Sequence, residues 1–292
     1  MLDQLESRQL LSTTALPMQT AAASTATSFH VVAQFNNASF AATVAIADND
    51  IWAVGDSTAS GTQQPLAVHF DGTSWRAIPT PPLAHGGTFS DVAAVASNDV
   101  WAIGNQNVGS SINTLIEHWD GMSWSVVSSP QLPNGAYLQA VTAISKNDVW
   151  AAGDINVSKE GILMEHYDGT SWSVVSSPAF TGVGPIYDIS ASASNNIWAV
   201  GGNTSLHFDG TSWTRVPGVS TVNMGSVLAL SPIDVWASGV GPGATRNSFP
   251  RATFVHWNGT SWSIVSSPNP HPNTSSSAGE LAAVSASDIF AL

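Results

Sequence analysis

Apolar residues in this chain come in short bursts separated by polar clusters rich in Asn, Asp, Gly, Ser and Pro. The stretch 89–130 shows the pattern best: FSDVAAVASNDVWAIG, a polar segment, then TLIEHWDGMSWSVVSSP. Short runs rich in β-branched and aromatic residues and bounded by turn formers read as strands. Four are predicted here, at 92–96, 100–104, 114–119 and 123–127. A tight Ser-Asn-Asp turn joins the first two. Asp120-Gly121 joins the last two, a dipeptide that predicts a type I′ hairpin because it tolerates positive φ. Ser128-Ser129-Pro130 closes the unit, since proline has no N–H to continue a ladder. No segment carries an apolar stripe of helical period over a useful length.

The unit recurs along the chain. A Trp in an Asn-Asp-Val-Trp-Ala context falls at Trp52, Trp101, Trp150, Trp198 and Trp236, with Phe290 in the last copy. A second Trp, closing His-aromatic-Asp-Gly-x-Ser-Trp, falls at Trp75, Trp124, Trp172, Trp213 and Trp262. Together they account for ten of the twelve Trp residues. A period of about 40–50 residues built from four short antiparallel strands predicts an all-β protein, a β-propeller of four-stranded blades. A β-solenoid repeats too, but with a shorter period and without hairpin turns. Ala stands seven residues before the landmark in every copy (Ala45, Ala94, Ala143, Ala191, Ala229, Ala283). Small side chains there suit innermost strands crowded around an axis. Five complete blades are expected, at about 40–79, 88–130, 137–178, 185–217 and 224–268, with a partial sixth at 279–292. The intact ring would hold six or seven. Residues 28–35 mirror a fourth strand, Thr27-Ser28-Phe29-His30-Val31-Val32 matching Thr170-Ser171-Trp172-Ser173-Val174-Val175, and are expected to close the last blade. The sixth copy stops in its second strand, so the sequence is expected to be truncated or its terminal blade incomplete.

The DVWAIG and HWDGMSW strings resemble those of bacterial β-propeller repeat proteins, distantly of the Asp-box and kelch types. The Asp-Gly-x-Ser-Trp hairpin lies where Asp-box propellers carry their signature, between third and fourth strands, but without that signature's Ser, Asp and Gly spacing before the Trp. The paired glycines of kelch repeats and the Trp-Asp ending of WD40 blades are absent. The resemblance covers 28–292 and implies a fold more than a function. At the other end, Leu5-Glu6-Ser7-Arg8-Gln9-Leu10-Leu11-Ser12 resembles the Leu-Glu-Pro-Arg-x-Leu-Leu segment of bacterial exported and surface proteins, with Ser7 in place of the proline. That likeness implies an export or sorting segment over 1–27 and an extracellular or cell-surface location. The alternative for 1–27 is a disordered or weakly helical tail.

Composition narrows the partners. Of 292 residues only 9% are charged, and the net charge is −13 with seven Lys and Arg. Such a surface repels phosphate backbones, so no nucleic-acid partner is expected. Without cysteine there is neither disulfide nor thiolate metal site. No apolar run reaches the ~18 residues of a membrane span. A monomer is expected, with no cofactor.

Candidate chemistry is sparse. His69, His118, His166, His207 and His256 recur once per blade. Equivalent positions in neighbouring blades lie too far apart to share one ion. Each imidazole is expected to bond within its blade, to the Asp opening the second strand or to the hairpin Ser. The hairpin acids Asp71, Asp120, Asp168 and Asp209, with Asn258, are turn formers. Glu117 and Glu165, where Val68, Leu206 and Val255 stand in other copies, are poorly placed for a glycosidase pair, which needs carboxyls about 5–9.5 Å apart. The arginines Arg8, Arg76, Arg215, Arg246 and Arg251 do not form the triad of a sialidase-like site. No catalytic or metal-binding set is predicted.

The best ligand candidates stand ten residues before each landmark: Ala42, Asp91, Ala140, Asp188, Ser226 and Glu280. In a propeller they lie at the start of the innermost strand, near the channel mouth. Asp91, Asp188 and Glu280 could ring a cation there, or bind sugar hydroxyls beside Tyr187 and Phe89. The bland alternative is ordinary solvated strand starts. The first-to-second and third-to-fourth turns are short and uniform, whereas the loops at the opposite face vary, at 56–64, 79–88, 105–113, 240–251 (holding Arg246 and Arg251) and 268–278. Rigid scaffolds with variable loops bind through the loops. The expectation is a non-catalytic, exported propeller that binds a glycan or a surface protein through that face. The alternatives are a structural surface repeat without a ligand and a glycan-active lyase or hydrolase using the channel acids.

Overall fold

The structure, a computed structural model, describes residues 33–109, 111–155, 161–242, 250–266, 276, 279–285 and 288–291. Among the described residues, five four-stranded antiparallel sheets and one two-stranded sheet follow one another along the chain. The first comprises β1 (Ala38–Ala47), β2 (Asp50–Ser57), β3 (Gln64–Phe70) and β4 (Trp75–Ile78). The second holds β5 (Gly87–Ala96), β6 (Asp99–Val108), β7 (Ser111–Trp119) and β8 (Trp124–Val126). The third holds β9 (Ala136–Ser145), β10 (Asp148–Ile155), β11 (Gly161–Tyr167) and β12 (Trp172–Val174), and the fourth β13 (Asp188–Ala193), β14 (Asn196–Gly201), β15 (Thr204–Phe208) and β16 (Trp213–Arg215). The fifth holds β17 (Asn223–Ser231), β18 (Asp234–Gly241), β19 (Arg251–Trp257) and β20 (Trp262–Val265), followed by the pair β21 (Leu281–Ser285) and β22 (Asp288–Ala291). Every sheet is ordered as a meander. The fold is an all-β propeller of four-stranded blades, five complete and a sixth in part. The closing strand expected at 28–35 and the segment 1–27 fall largely or wholly outside the described residues.

Two compact units divide these blades. One takes residues 1–110 and 115–127, the other 111–114 and 128–292. In the first unit, blades 1 and 2 share a core of Trp52, Val54, Ala67, Phe89, Val92, Val100, Ala102, Leu115 and Trp124. In the second, Trp150, Met164, Ile189, Leu206 and Trp213 fill the space between blades 3 and 4, and Trp198, Val227, Val255 and Trp262 that between blades 4 and 5. Within the units the landmark residues Trp52, Trp150 and Trp198 thus pack on the next blade. Trp52 meets Trp124 edge-on at 5.3 Å, and Trp198 meets Trp262 likewise at 5.4 Å. Such pairs contribute about 0.5–1.5 kcal/mol beyond the area they bury.

A shared irregularity shapes the first strands. In β1, β5, β9 and β17 the register slips opposite the second strand's glycine, between Phe40 and Ala42 in the first blade. The bulge pushes a carbonyl into the space a side chain would need. A Cβ on Gly55, Gly104, Gly153, Gly201 or Gly239 would lie 1.9–2.1 Å from the carbonyl oxygen of Ser39, Thr88, Tyr137, Pro185 or Asn223. The glycine that ends each Trp-Ala-x-Gly string is therefore required by close backbone approach.

The hairpins differ from the predicted type I′ turn. Four residues separate β3 from β4, and the glycine alone has positive φ: +86° at Gly72, with the aspartate in ordinary space. Asp71 Oδ1 accepts the N–H groups of Thr73 and Ser74, both at 2.9 Å, and the Asp71 N–H reaches the Ser74 carbonyl. An Asx turn replaces the two-residue loop. The segment 105–113, expected as a loop, is mostly ladder, because β6 and β7 run on to within two residues of each other.

Candidate functional site

One polar unit repeats inside the blades. His69 Nε2 lies 2.7 Å from Asp50 Oδ1, and the same contact joins His118 to Asp99, His166 to Asp148 and His256 to Asp234 at 2.8–2.9 Å. The expected within-blade partner is the one found. Each ring lies on the landmark indole, with centroids 4.2–4.5 Å apart, and the indole N–H of Trp101, Trp150 and Trp236 donates to the same carboxylate oxygen. Blade 4 substitutes Asn196, whose Oδ1 accepts from Trp198 Nε1 and sits 2.9 Å from His207 Nε2. An amide oxygen can only accept, so His207 carries its proton on Nε2. Burial holds the His207 pKa below the ordinary imidazole value, against the opposing charge of Asp209. These sets tie the third strand to the start of the second and consume the groups a catalyst would need.

The candidates at the strand starts divide. In the second unit the structure brings Asp188, Ser226 and Glu280 together from three successive blades. Asp188 Oδ1 accepts the N–H of Ile189 at 2.7 Å, and Oδ2 accepts the N–H of Val227, in the next blade, at 2.7 Å. Ser226 also bonds to that carboxylate, and its Oγ accepts the N–H of Leu281 at 3.2 Å. Ser190 repeats the device, accepting the N–H of Ala229 at 3.0 Å. Side chains of one first strand thus satisfy the backbone of the following one. Burial pushes the Asp188 carboxyl up to about 7; its three hydrogen bonds pull it down and the Glu280 charge raises it further. Asp188 is a clamp between blades before it is a ligand. Tyr187 and Glu280, both exposed, stand beside it.

In the first unit Asp91 turns one oxygen to its own neighbour, accepting the N–H of Val92 at 2.7 Å, the geometry of Asp188. Phe89 is a correction: it is 1% exposed and packs into the core between blades 1 and 2, so it presents no face to a sugar. Its alternation with Asp91 along the strand was readable, but the bulge between them was not. Arg251 lies at the start of β19, opposite Gly241, and Arg246 lies outside the described residues. The other described arginines are used locally: Arg76 by Asp71 and Ser74, Arg215 by the carbonyls of Ala179 and Thr181.

Sequence reasoning missed how deeply Glu117 and Glu165 are placed. Both are fully buried, and their carboxyl oxygens have no hydrogen-bond partner among the described residues. Burial alone pushes each up to about 8. Their apolar counterparts Val68, Leu206 and Val255 were the signal. A carboxyl so enclosed reaches no glycosidic oxygen. Among the described residues no group of three His, Asp or Glu could hold a metal ion, and no helix is long and apolar enough to cross a membrane. In the second unit Trp236, Phe254, Val265, Leu281, Ile289 and Phe290 line an apolar pocket of about 380 Å³.

No family model matches the sequence, and neither does any curated protein at a significant level. Solved structures do match. A YCF48 protein bound to a D1 peptide aligns with a TM-score of 0.56 at 17% identity, over 87% of this chain and 76% of that one. A fucose-recognising lectin of Aleuria aurantia with a six-bladed β-propeller fold aligns with a TM-score of 0.52 at 14% identity, over 80% of each chain. The SapL1 lectin, solved with α-methyl fucoside, aligns with a TM-score of 0.51 at 13% identity, over 84% of each. At these identities the likeness establishes the fold, and the chain is a β-propeller.

Proposed function

We propose that this chain is a non-catalytic binding propeller, exported or displayed at a cell surface, that takes a glycan through the blade ends where the loops vary. The contrast between the two ends carries the reading. At one end every first-to-second turn has two residues and every third-to-fourth turn four. At the other, the connections range from the pair 202–203 to the long segments 175–187 and 242–250. A frame this regular at one end and this diverse at the other puts its variation where recognition is selected. Tyr187 and Glu280, both exposed, lie near that variable end, with the apolar face and the hydroxyl-accepting oxygen that sugar recognition uses. Lectins of the same fold support a glycan as the ligand class. The peptide-bound YCF48 structure supports a peptide as the second reading.

A glycan panel probed with the purified chain tests this. Saturable binding to a subset of sugars is expected, weakened at least about tenfold by Tyr187→Ala together with Glu280→Ala. Both positions leave the core intact. Binding to none of the sugars, but to an extended peptide, would replace the first reading with the second. Binding to neither would return the chain to a structural repeat.

A further inference from the structure

We infer that Glu117 is a proton-dependent wedge in the interface between blades 1 and 2: neutral, it is tolerated in that core; ionised, it loosens the packing of the two blades. Side chains alternate along a strand, so Leu115, Glu117 and Trp119 share one face of β7. Leu115 and Trp119 belong to the core that blade 2 forms with Trp52, Val54 and Ala67 of blade 1. Glu117 lies between them, fully buried, on a strand position paired with Val126. Both its oxygens lack a partner among the described residues. Trp119 and Trp124 close on Trp52 at 5.1 and 5.3 Å, so the core on this face of β7 is aromatic and apolar.

Charges on the packed elements do not compensate it. On blade 1, Asp50 of β2 is taken by His69 of β3, Asp56 of β2 accepts the Thr88 hydroxyl, and Arg76 of β4 pairs with Asp71. On blade 2, Asp91 of β5 accepts the Val92 N–H, and Asp99 of β6 is shared by Trp101 and His118. Burial is the sole cause of the raised Glu117 pKa, about 8. The folded chain holds this proton when the unfolded chain has released it. Stability is therefore full below the ordinary carboxyl range and falls as pH climbs toward about 8. The same position in β11, Glu165, is equally buried and shifted the same way.

Thermal unfolding of the chain, Glu117→Gln and Glu117→Leu at about pH 5 and about pH 9 tests the inference. The wild type is expected to lose several degrees of Tm at the alkaline end. Both variants should lose clearly less, since neither can ionise there and Gln keeps the shape. Infrared spectra at neutral pH should show a protonated-carboxyl band that is reduced in Glu117→Gln. Hydrogen exchange of the β7 amides should quicken with pH beyond the intrinsic rate in the wild type and not in the variants. Equal pH slopes in all three proteins, or an unchanged carboxyl band, would overturn it. A variant that fails to fold leaves the band and the other variant to decide.

Discussion

At the scale of single residues, the blades depend on carboxylates that accept more than one hydrogen bond. Asp99 accepts from Trp101 and lies against His118. Removing it strands two donors in a half-buried place, and each stranded donor costs about 1–3 kcal/mol. Asp99→Ala is expected to destabilise by that order in chemical denaturation, whereas Asp99→Asn, which copies the Asn196 of blade 4, should recover most of the loss. Equal losses for both variants would mean that the charge, not the acceptor, matters. These partners could be inferred from the sequence because His and Asp recur in step with the landmark Trp. The burial of Glu117 shows in the sequence only when copies are compared, through Val68, Leu206 and Val255 at its position, since a strand's own alternation does not say which apolar wall a lone acid will meet. His207 adds an acid-side counterpart: its depressed pKa means it stays neutral in the fold, so its contribution is present above the ordinary imidazole pKa and is lost as pH falls below it.

At the scale of elements, the bulge in β1, β5, β9 and β17 and the glycine facing it form one device. Gly153→Ala would drive a methyl to 1.9 Å from the Tyr137 carbonyl, and a loss of at least about 2 kcal/mol is expected by calorimetry or denaturant titration. Gly184→Ala, whose Cβ would meet nothing within 4 Å and whose φ is not positive, is the control and should be nearly neutral. Comparable stabilities would show that the first strand shifts to make room. Strand number, order and hairpin positions followed from burst spacing and turn residues. The bulge did not, because one extra residue in a strand leaves the apolar pattern nearly unchanged over its short length. The turn departs from type I′ for a related reason: Asp-Gly permits that turn, but the Ser two positions after the glycine supplies a carbonyl that closes a four-residue loop.

At the scale of the whole molecule, the chain carries 20 acidic against seven basic side chains. Such imbalance repels itself, and salt screens it over about 8–10 Å. Tm near neutral pH is expected to rise with added sodium chloride; a flat response would mean that the charges are stabilised locally, as the Asx-turn N–H groups do for the carboxylates of Asp71, Asp120, Asp168 and Asp209. The architecture was open to sequence reasoning because repetition averages out local ambiguity. The ligand was not, because recognition rests on loops that do not repeat. The bonds from Asp188 to Val227, Ser190 to Ala229 and Ser226 to Leu281 make neighbouring modules directional, each carrying the acceptor its successor needs. The repeats are therefore not interchangeable parts: a chimera that grafts a module with Ala140 at this position ahead of blade 5 would leave the Val227 amide bare, and any engineered array must preserve who follows whom.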